Sequence, residues 1–524
     1  MPSSVAIDLD RRHGDTFTNL DIVRGQVNLR LQSEETIVTI QIKMEGITES
    51  MVQVTTADAK RERTSRGVAR ETHKILYLVN TVFPPEDIQN VNGAKISTKG
   101  YTLKPGQYFY PFEFRIPMNT MCQKPTGIIA SLREDTSSYT THHIVETLPP
   151  SLSDLETASI KYFFKVTVRK ASFLKVNMRE TRLFVFLPIE PPRPEQYQVY
   201  FSRRKHTFNY VPVVTSRSAS GSTRAPQKNH GFFSSLRRLG SSMDGGISNS
   251  RNSKWSILRQ TGPQFYFEAR FREPRLAVIS EVLPLRLFIT TSSPNSFTSP
   301  MPPVYLLALK VNLVCITIVS AEIHSQKYAH AAQIANLTNL KVPCVQMTPV
   351  EGQNGLFEAE FDPAAWRGSL LLPNTITPTF KTCNIARTYA LEIFADISHG
   401  LGGDADSIAV GFDIAVLSGI KAPESLVRAA ANQRANPYAA AAAAELANSS
   451  SAPPPQYPTQ KPGGPSIAPS ATGSSSTTPA VGGGALPTYD EVMSSELQPL
   501  SGPRPAFQQN PNYYANANNL DSEK

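Results

Sequence analysis

Residues 100–117 read GYTLKPGQYFYPFEFRIP, and their order decides what kind of chain this is. Lys104-Pro105-Gly106 has the composition of a tight turn: proline pre-sets its own φ and glycine accepts conformations closed to other residues. From Gln107 to Ile116 an aromatic recurs at every second position (Tyr108, Tyr110, Phe112, Phe114). That is the period of a strand with one face buried. Pro117 closes it, since proline has no amide to give a ladder. A strand of this kind needs a sheet to cover its aromatic face, so the flanking sequence should supply more strands.

It does. SSVAIDLD (3–10), GQVNLRLQ (25–32) and ETIVTIQIKMEG (35–46) alternate apolar and polar residues, with Gly25 and Gly46 read as punctuation. KILYLVNTVFPP (74–85) stops at Pro84 and Pro85. SIKYFFKVTVRK (159–170) follows, then the strand pair FLKVNMRE (173–180) and TRLFVFLPI (181–189). Six to eight strands without a long helix predict a β-sandwich over residues 1–195. The texture resumes in GPQFYFEARFREPR, LPLRLFITTSS, PPVYLLALKVNLVCITIV, GLFEAEFD, RTYALEIFADI and DSIAVGFDIAVLSG. These predict a second sandwich over 261–420, with no clean internal repeat in sequence. Residues 421–524 hold fifteen of the 42 prolines and the low-complexity run PSIAPSATGSSSTTPAVGGGALP. This composition predicts a disordered proline-rich tail.

The formal charge is +9, from 52 Lys and Arg against 43 Asp and Glu. Between Phe201 and Gln260 stand eleven Lys and Arg, including Arg203, Arg204, Lys205, Arg237 and Arg238, against Asp244 alone. The whole imbalance therefore belongs to one segment, expected to be a basic, disordered stretch over 196–260 between the sandwiches. Two readings stand for it: a solvated linker, or a surface for anionic lipid and acidic partners. Phe232 and Phe233 beside Arg237 and Arg238 would then make a short interfacial anchor. Nucleic acid is disfavoured, because no recognition helix, zinc finger or RNP-type strand pair accompanies the charge.

No signature of catalysis is legible. The nine histidines form no HExxH, and there is no GxSxG, P-loop or strand-borne GxGxxG. Cys122, Cys315, Cys344 and Cys383 lie far apart with no CxxC pair, which argues against a disulfide scaffold and a zinc site. His142 and His143, if on a strand, point to opposite sides and make poor joint ligands. Cys315 and Cys383 read as core thiols without activating neighbours. No metal and no cofactor are expected. The opening MPSSVAIDLDRR lacks a basic-then-apolar leader, and residues 304–319 are interrupted by Lys310 and Asn312. The expected location is cytosolic.

Two short motifs stand out in the proline-rich end. Pro453-Pro454-Pro455-Gln456-Tyr457 contains PPxY, and Leu486-Pro487-Thr488-Tyr489 is its LPxY variant. Prolines pre-form an extended left-handed helix at low entropic cost, and an aromatic-lined WW groove accepts them while a neighbouring pocket takes the tyrosine. Spaced as they are, both can engage a partner with several WW domains and gain avidity. Pro302-Pro303-Val304-Tyr305 also fits the pattern but runs into LLALKVNLVC, so Tyr305 is expected to be structural.

Together these features resemble the arrestin family, and specifically the fungal arrestin-related trafficking adaptors, or alpha-arrestins. Leu103, Gly106, Tyr108, Pro111, Phe112, Phe114 and Pro117 fill the places of a family signature, with Tyr110 where phenylalanine is frequent. Ala158-Ser159-Ile160-Lys161-Tyr162 and PPVYLLALKVNLV resemble further strands of the group. The resemblance implies two arrestin-type, immunoglobulin-like β-sandwich lobes and a non-enzymatic adaptor. Such an adaptor recruits a Nedd4-type HECT ubiquitin ligase to plasma-membrane transporters or receptors, for ubiquitin-dependent endocytosis and vacuolar sorting. On it, Pro454, Pro455 and Tyr457 dock one WW domain and Leu486, Pro487 and Tyr489 another. The adaptor would be cytoplasmic and recruited peripherally to plasma membrane and endosomes. Serines 216, 218, 234, 235, 241 and 242 among the basic residues suggest a phosphorylation switch. The polar core and phosphate-sensing lysines of visual and β-arrestins have no counterpart that the sequence identifies. The alternative is an arrestin-fold scaffold, ambient-pH-sensing or retromer-like, that works without ligase recruitment.

Overall fold

The structure, a computed structural model, describes residues 3–10, 16–58, 63–85, 100–122, 143–172, 175–193, 198–207, 264–292, 303–344, 346–401, 405–424, 504–505, 507–509 and 513. Among them the protein is all-β apart from two short 3-10 turns. The first half of the chain contributes β1 (Ser4–Leu9), β2 (Thr16–Phe17), β3 (Ile22–Leu31), β4 (Glu35–Asp58) and β5 (Arg63–Phe83). It continues with β6 (Tyr101–Leu103), β7 (Gly106–Arg115), β8 (Leu152–Leu155), β9 (Ala158–Lys170) and β10 (Met178–Phe186). One sheet runs β1-β3-β7; the other runs β2-β10-β9-β4-β5, with β6 on β4 and β8 on β9.

The aromatic strand behaves as its period predicts. Phe112 and Phe114 of β7 are buried, and their rings stand 5.9 and 6.1 Å from Phe164 on the facing sheet. Pro111 is tolerated because β7 is an edge strand, paired with β3 alone. Around these rings Val27, Leu29, Ile40, Ile42, Met44 and Val166 close a core that both sheets share.

The second half supplies β11 (Gln198–Thr207), β12 (Gln264–Glu273), β13 (Leu276–Val278), β14 (Arg286–Thr291), β15 (Val304–Ala321) and β16 (His324–Leu337). Then come β17 (Val342–Cys344), β18 (Thr348–Pro349), β19 (Phe357–Glu360), β20 (Phe380–Lys381), β21 (Ile385–Ser398) and β22 (Asp406–Leu417). Its sheets run β11-β12-β14-β19-β18 and β13-β22-β21-β15-β16. The larger sheets of the two halves share one plan. Each opens on a short strand parallel to its last long one (β2 with β10, β13 with β22), and each has a long hairpin at the far edge (β4-β5, β15-β16). The repeat that sequence does not display is present in connectivity.

Three expectations are corrected, and one strand was not foreseen. Gly25 and Gly46 do not interrupt their strands: each is paired in register with an aromatic, Phe112 and Tyr162, whose ring lies where a Cβ would be, with ring atoms 2.7 Å from that position. The ring covers the gap and the ladder continues. Among the described residues of 173–189 there is no strand pair; Met178–Phe186 is a single strand returning along β9. The basic stretch expected to be disordered from residue 196 begins as strand β11, held to β12 over its full length from Gln198↔Glu273 to Thr207↔Gln264. Finally, β16 was not legible: HSQKYAHAAQIANL has little apolar alternation, and the strand forms because β15 offers it an edge.

Candidate functional site

The halves meet where β4 and β5 approach the end of β15 and the turn between β20 and β21. That turn closes on itself: Thr382 donates its amide to the Ile385 carbonyl at 2.7 Å, and its hydroxyl accepts the Ile385 amide at 2.9 Å. It presents two adjacent residues, Cys383 and Asn384, to the first half. The Asn384 amide oxygen accepts from the Thr48 hydroxyl at 2.7 Å, and its nitrogen donates to Ser50 Oγ at 2.9 Å. Ser50 in turn donates to the Ser320 carbonyl at 2.6 Å. All three side chains are buried and bonded, so burial carries no desolvation penalty left unmet.

Cys383 enters a cluster of two thiols and two imidazoles. Cys122 Sγ lies 3.8 Å from Cys383 Sγ, 3.4 Å from His73 Nδ1 and 3.1 Å from His143 Nδ1. The four donor atoms all fall within 4.8 Å of one another. Local structure places each. His73 is on β5. Cys122 and His143 flank residues 123–142, and the strands of chain leading to them run side by side: Thr120 donates to the Glu146 carbonyl at 2.7 Å and Leu148 to that of Met118 at 3.1 Å. The neighbouring His142 lies outside the described residues, and His143 is in a loop, so strand alternation does not govern where it points.

Outer contacts orient these groups. Glu71 Oε1 stands 2.5 Å from His73 Nε2, which leaves Nδ1 to face the sulfurs. The Ile144 amide donates to Cys383 Sγ at 3.4 Å. The contact between the two sulfurs pushes Cys122 up and Cys383 down, and the His73 ring and the Ile144 amide add to the lowering at Cys383. Burial works against a charged His73, and its bonds to Cys383 and Glu71 outweigh burial, holding the ring up at about 9. Cys383 is thus no isolated core thiol, and separation along the chain did not keep these residues apart in space. The sequence argument against a zinc site rested on that separation and does not hold. Cys315, on β15, is half-buried beside Thr317 and packs against the core of the second half without entering it, which corrects the core reading.

A second constellation uses residues from the far end of the chain. Arg504 grips Asp21 at 2.6 and 2.7 Å and also donates to the Thr16 carbonyl at 2.8 Å. Tyr513 is fully buried; its hydroxyl accepts from the Tyr162 amide at 3.1 Å and donates to the Phe184 carbonyl at 2.7 Å. Gln509 donates to the Ser151 carbonyl at 2.7 Å, and Phe507 joins the core of the second half. The expectation of a disordered tail across 421–524 is therefore corrected at these positions. Arginine and tyrosine find buried carboxylate and carbonyl partners that a pattern reading of low-complexity sequence cannot supply.

The third feature is the outer edge of β11. Arg203, Arg204 and Lys205 are exposed there, next to exposed Val199 and Phe201. Arg203 lies over the Tyr266 ring at 4.9 Å. These three cations sit on an edge strand, with Arg203 and Lys205 on one side of it and Arg204 on the other.

Residues 5–189 match the N-terminal domain of arrestin, or S-antigen. The chain is 26% identical over 187 residues to arrestin-related trafficking adapter 10 of Lachancea thermotolerans, across 32% of this chain and 42% of that protein. It is 22% identical over 268 residues to the adapter of the same name from Candida glabrata, across 49% of this chain and 50% of that one. The chain carries an arrestin N-terminal domain and is similar to alpha-arrestin trafficking adapters. It aligns with half or less of the length of those relatives. Arrestin domains are not catalytic.

Of the residues singled out in the sequence, Arg203, Arg204 and Lys205 are consecutive on β11, and Tyr305 lies in β15. Pro454, Pro455, Tyr457, Leu486, Pro487, Tyr489, Phe232, Phe233, Arg237 and Arg238 lie outside the described residues. What sequence reading missed is the Cys122–His73–His143–Cys383 cluster. Its members are 49, 21 and 261 residues from Cys122, and only the topology of β5 and the β20-β21 turn joins them.

Proposed function

We propose that this chain is an adaptor that recruits a Nedd4-type HECT ubiquitin ligase to plasma-membrane transporters or receptors, promoting their ubiquitination, endocytosis and vacuolar sorting. The observation that carries the reading is the pair of WW-ligand motifs in a chain whose residues 5–189 match an arrestin N-terminal domain. Pro454, Pro455 and Tyr457 engage one WW groove; Leu486, Pro487 and Tyr489 engage a second, and the pair gains from effective concentration. The adapters of similar sequence bear trafficking in their names, which supports the same role here. The adaptor works in the cytoplasm and is recruited peripherally to plasma membrane and endosomes. The exposed Arg203, Arg204 and Lys205, with Phe201 beside them, suit contact with anionic lipid or an acidic cargo segment.

The test is a pull-down of the full chain with the WW domains of such a ligase, comparing wild type with the double variant Tyr457→Ala, Tyr489→Ala. Loss of capture and of the chain's own ubiquitination is expected, with an unchanged melting curve. Ligase capture that survives the double substitution removes the main support. Cargo internalisation that is indifferent to it returns the chain to a scaffold of the retromer-like or pH-signalling kind.

A further inference from the structure

We propose that His73, Cys122, His143 and Cys383 form a structural zinc site that fastens the two halves of the chain together. The donor set is two thiolates and two imidazoles, the set that selects zinc in a tetrahedral environment. The spacing around Cys122 fits the ion. Zn–S bonds of about 2.3 Å and Zn–N bonds of about 2.0 Å at the tetrahedral angle put two sulfurs about 3.8 Å apart and a sulfur and a nitrogen about 3.5 Å apart. The sulfurs of Cys122 and Cys383 are 3.8 Å apart, and the two nitrogens lie 3.4 and 3.1 Å from Cys122. A disulfide needs about 2.0 Å between sulfurs, so the thiols are held at ligand spacing and not at bonding distance.

The surroundings are those of a metal centre. Glu71 on His73 Nε2 at 2.5 Å fixes the tautomer that turns Nδ1 toward the sulfurs, the carboxylate–histidine pairing that raises ligand basicity. The Ile144 amide at 3.4 Å supports a thiolate at Cys383. Glu71 is itself anchored across the junction by the Glu322 amide at 2.7 Å. Four protein donors leave no open position, so the ion would be structural and not catalytic. Three ligands belong to the first half and Cys383 to the second. Binding would therefore close the junction at Asn384 and clasp the base of residues 123–142 through Cys122 and His143.

The test uses the full chain purified in reductant without a histidine tag. Zinc is counted by plasma mass spectrometry, and after chelation the protein is reloaded with cobalt. One zinc per chain is expected, and the cobalt form should show visible d–d bands of a tetrahedral ion with a near-ultraviolet thiolate charge-transfer band. Cys122→Ser and Cys383→Ser should lose the zinc, Glu71→Gln should weaken it about 10- to 100-fold, and Cys315→Ser should retain it. The cobalt spectrum of the wild type decides the matter even if a variant fails to fold. A reduced wild-type chain that neither carries zinc nor gives the thiolate–cobalt spectrum overturns the proposal. So does zinc that persists in both cysteine variants, or a Cys122–Cys383 disulfide whose reduction leaves a chain that takes up no metal.

Discussion

Asn384 Oδ1 accepts the Thr48 hydroxyl at 2.7 Å across 336 residues of chain, with both side chains buried. This bond and its companion to Ser50 are the buried side-chain part of the polar seam between the halves. A partner removed from a buried hydrogen bond leaves the other group desolvated for nothing. Asn384→Ala should therefore cost about 2 kcal/mol, read as a lower urea midpoint at unchanged slope. A loss no larger than that of an exposed Asn→Ala change would mean that the seam does not hold the halves.

The grip of Arg504 on Asp21 gives a second expectation. Arg504→Ala leaves a carboxylate that is 1% exposed facing only the Thr18 amide, and breaking a buried pair from one side costs about 3 kcal/mol. Tyr513→Phe, which strips the hydroxyl from the Tyr162 amide and Phe184 carbonyl, should cost about 1–2 kcal/mol. Removing both members of the ion pair, in Asp21→Asn with Arg504→Met, should be milder than the sum of the single changes. Strict additivity in that cycle would contradict the contact.

Gly46 supplies a third. A Cβ there would stand 2.7 Å from a Tyr162 ring carbon and 3.0 Å from Leu76 Cβ, whereas one at Gly67, also within the β4-β5 hairpin, meets nothing within 4 Å. Gly46→Ala is expected to destabilise by about 1–3 kcal/mol through overpacking. Gly67→Ala should be neutral or stabilising by about 0.5 kcal/mol, since it restrains the unfolded chain. Calorimetric melting of the two variants checks the contrast; equal effects would show that the ring has room to move.

Glu35 carries the pH dependence. Burial raises its carboxyl, and hydrogen bonds from Lys175 at 3.0 Å and Lys170 outweigh burial, so the folded group titrates below its ordinary 4.5. A depressed folded value contributes stability above the unfolded one that is lost as pH falls through the folded one. Wild type should therefore lose more stability than Glu35→Gln between about pH 5 and 3. Parallel acid curves for the two proteins would exclude this carboxylate as a contributor.

What the sequence disclosed and what it hid have physical causes. The aromatic period of residues 106–115 and the apolar run of 304–321 are local signals, and both became the strands they predicted. β16 and the outer part of β5 are polar hairpin arms whose order comes from a paired neighbour, so period gave no sign of them. Gly46 misled because the ring that replaces its side chain sits on β9, more than a hundred residues away. The His73–Cys122–His143–Cys383 cluster was hidden for the same reason. Each ligand is ordinary in its own segment, and the constellation exists only after two halves of the fold meet.

The docking of Arg504 and Tyr513 also alters what the intervening chain is. Strand β22 ends at Leu417 and the described chain continues to Glu424, while Arg504 and Tyr513 are again fixed to the folded body, so the chain is anchored on both sides of residues 425–503. Tyr457 and Tyr489 fall between these two anchors in sequence, so on the adaptor reading proposed above a bound WW domain would be attached to the folded body from both sides and not by one tether. Loss of both the Arg504 and the Tyr513 contacts would leave one attachment. On that reading the two motifs would then serve cargo at a greater distance, at a lower local concentration.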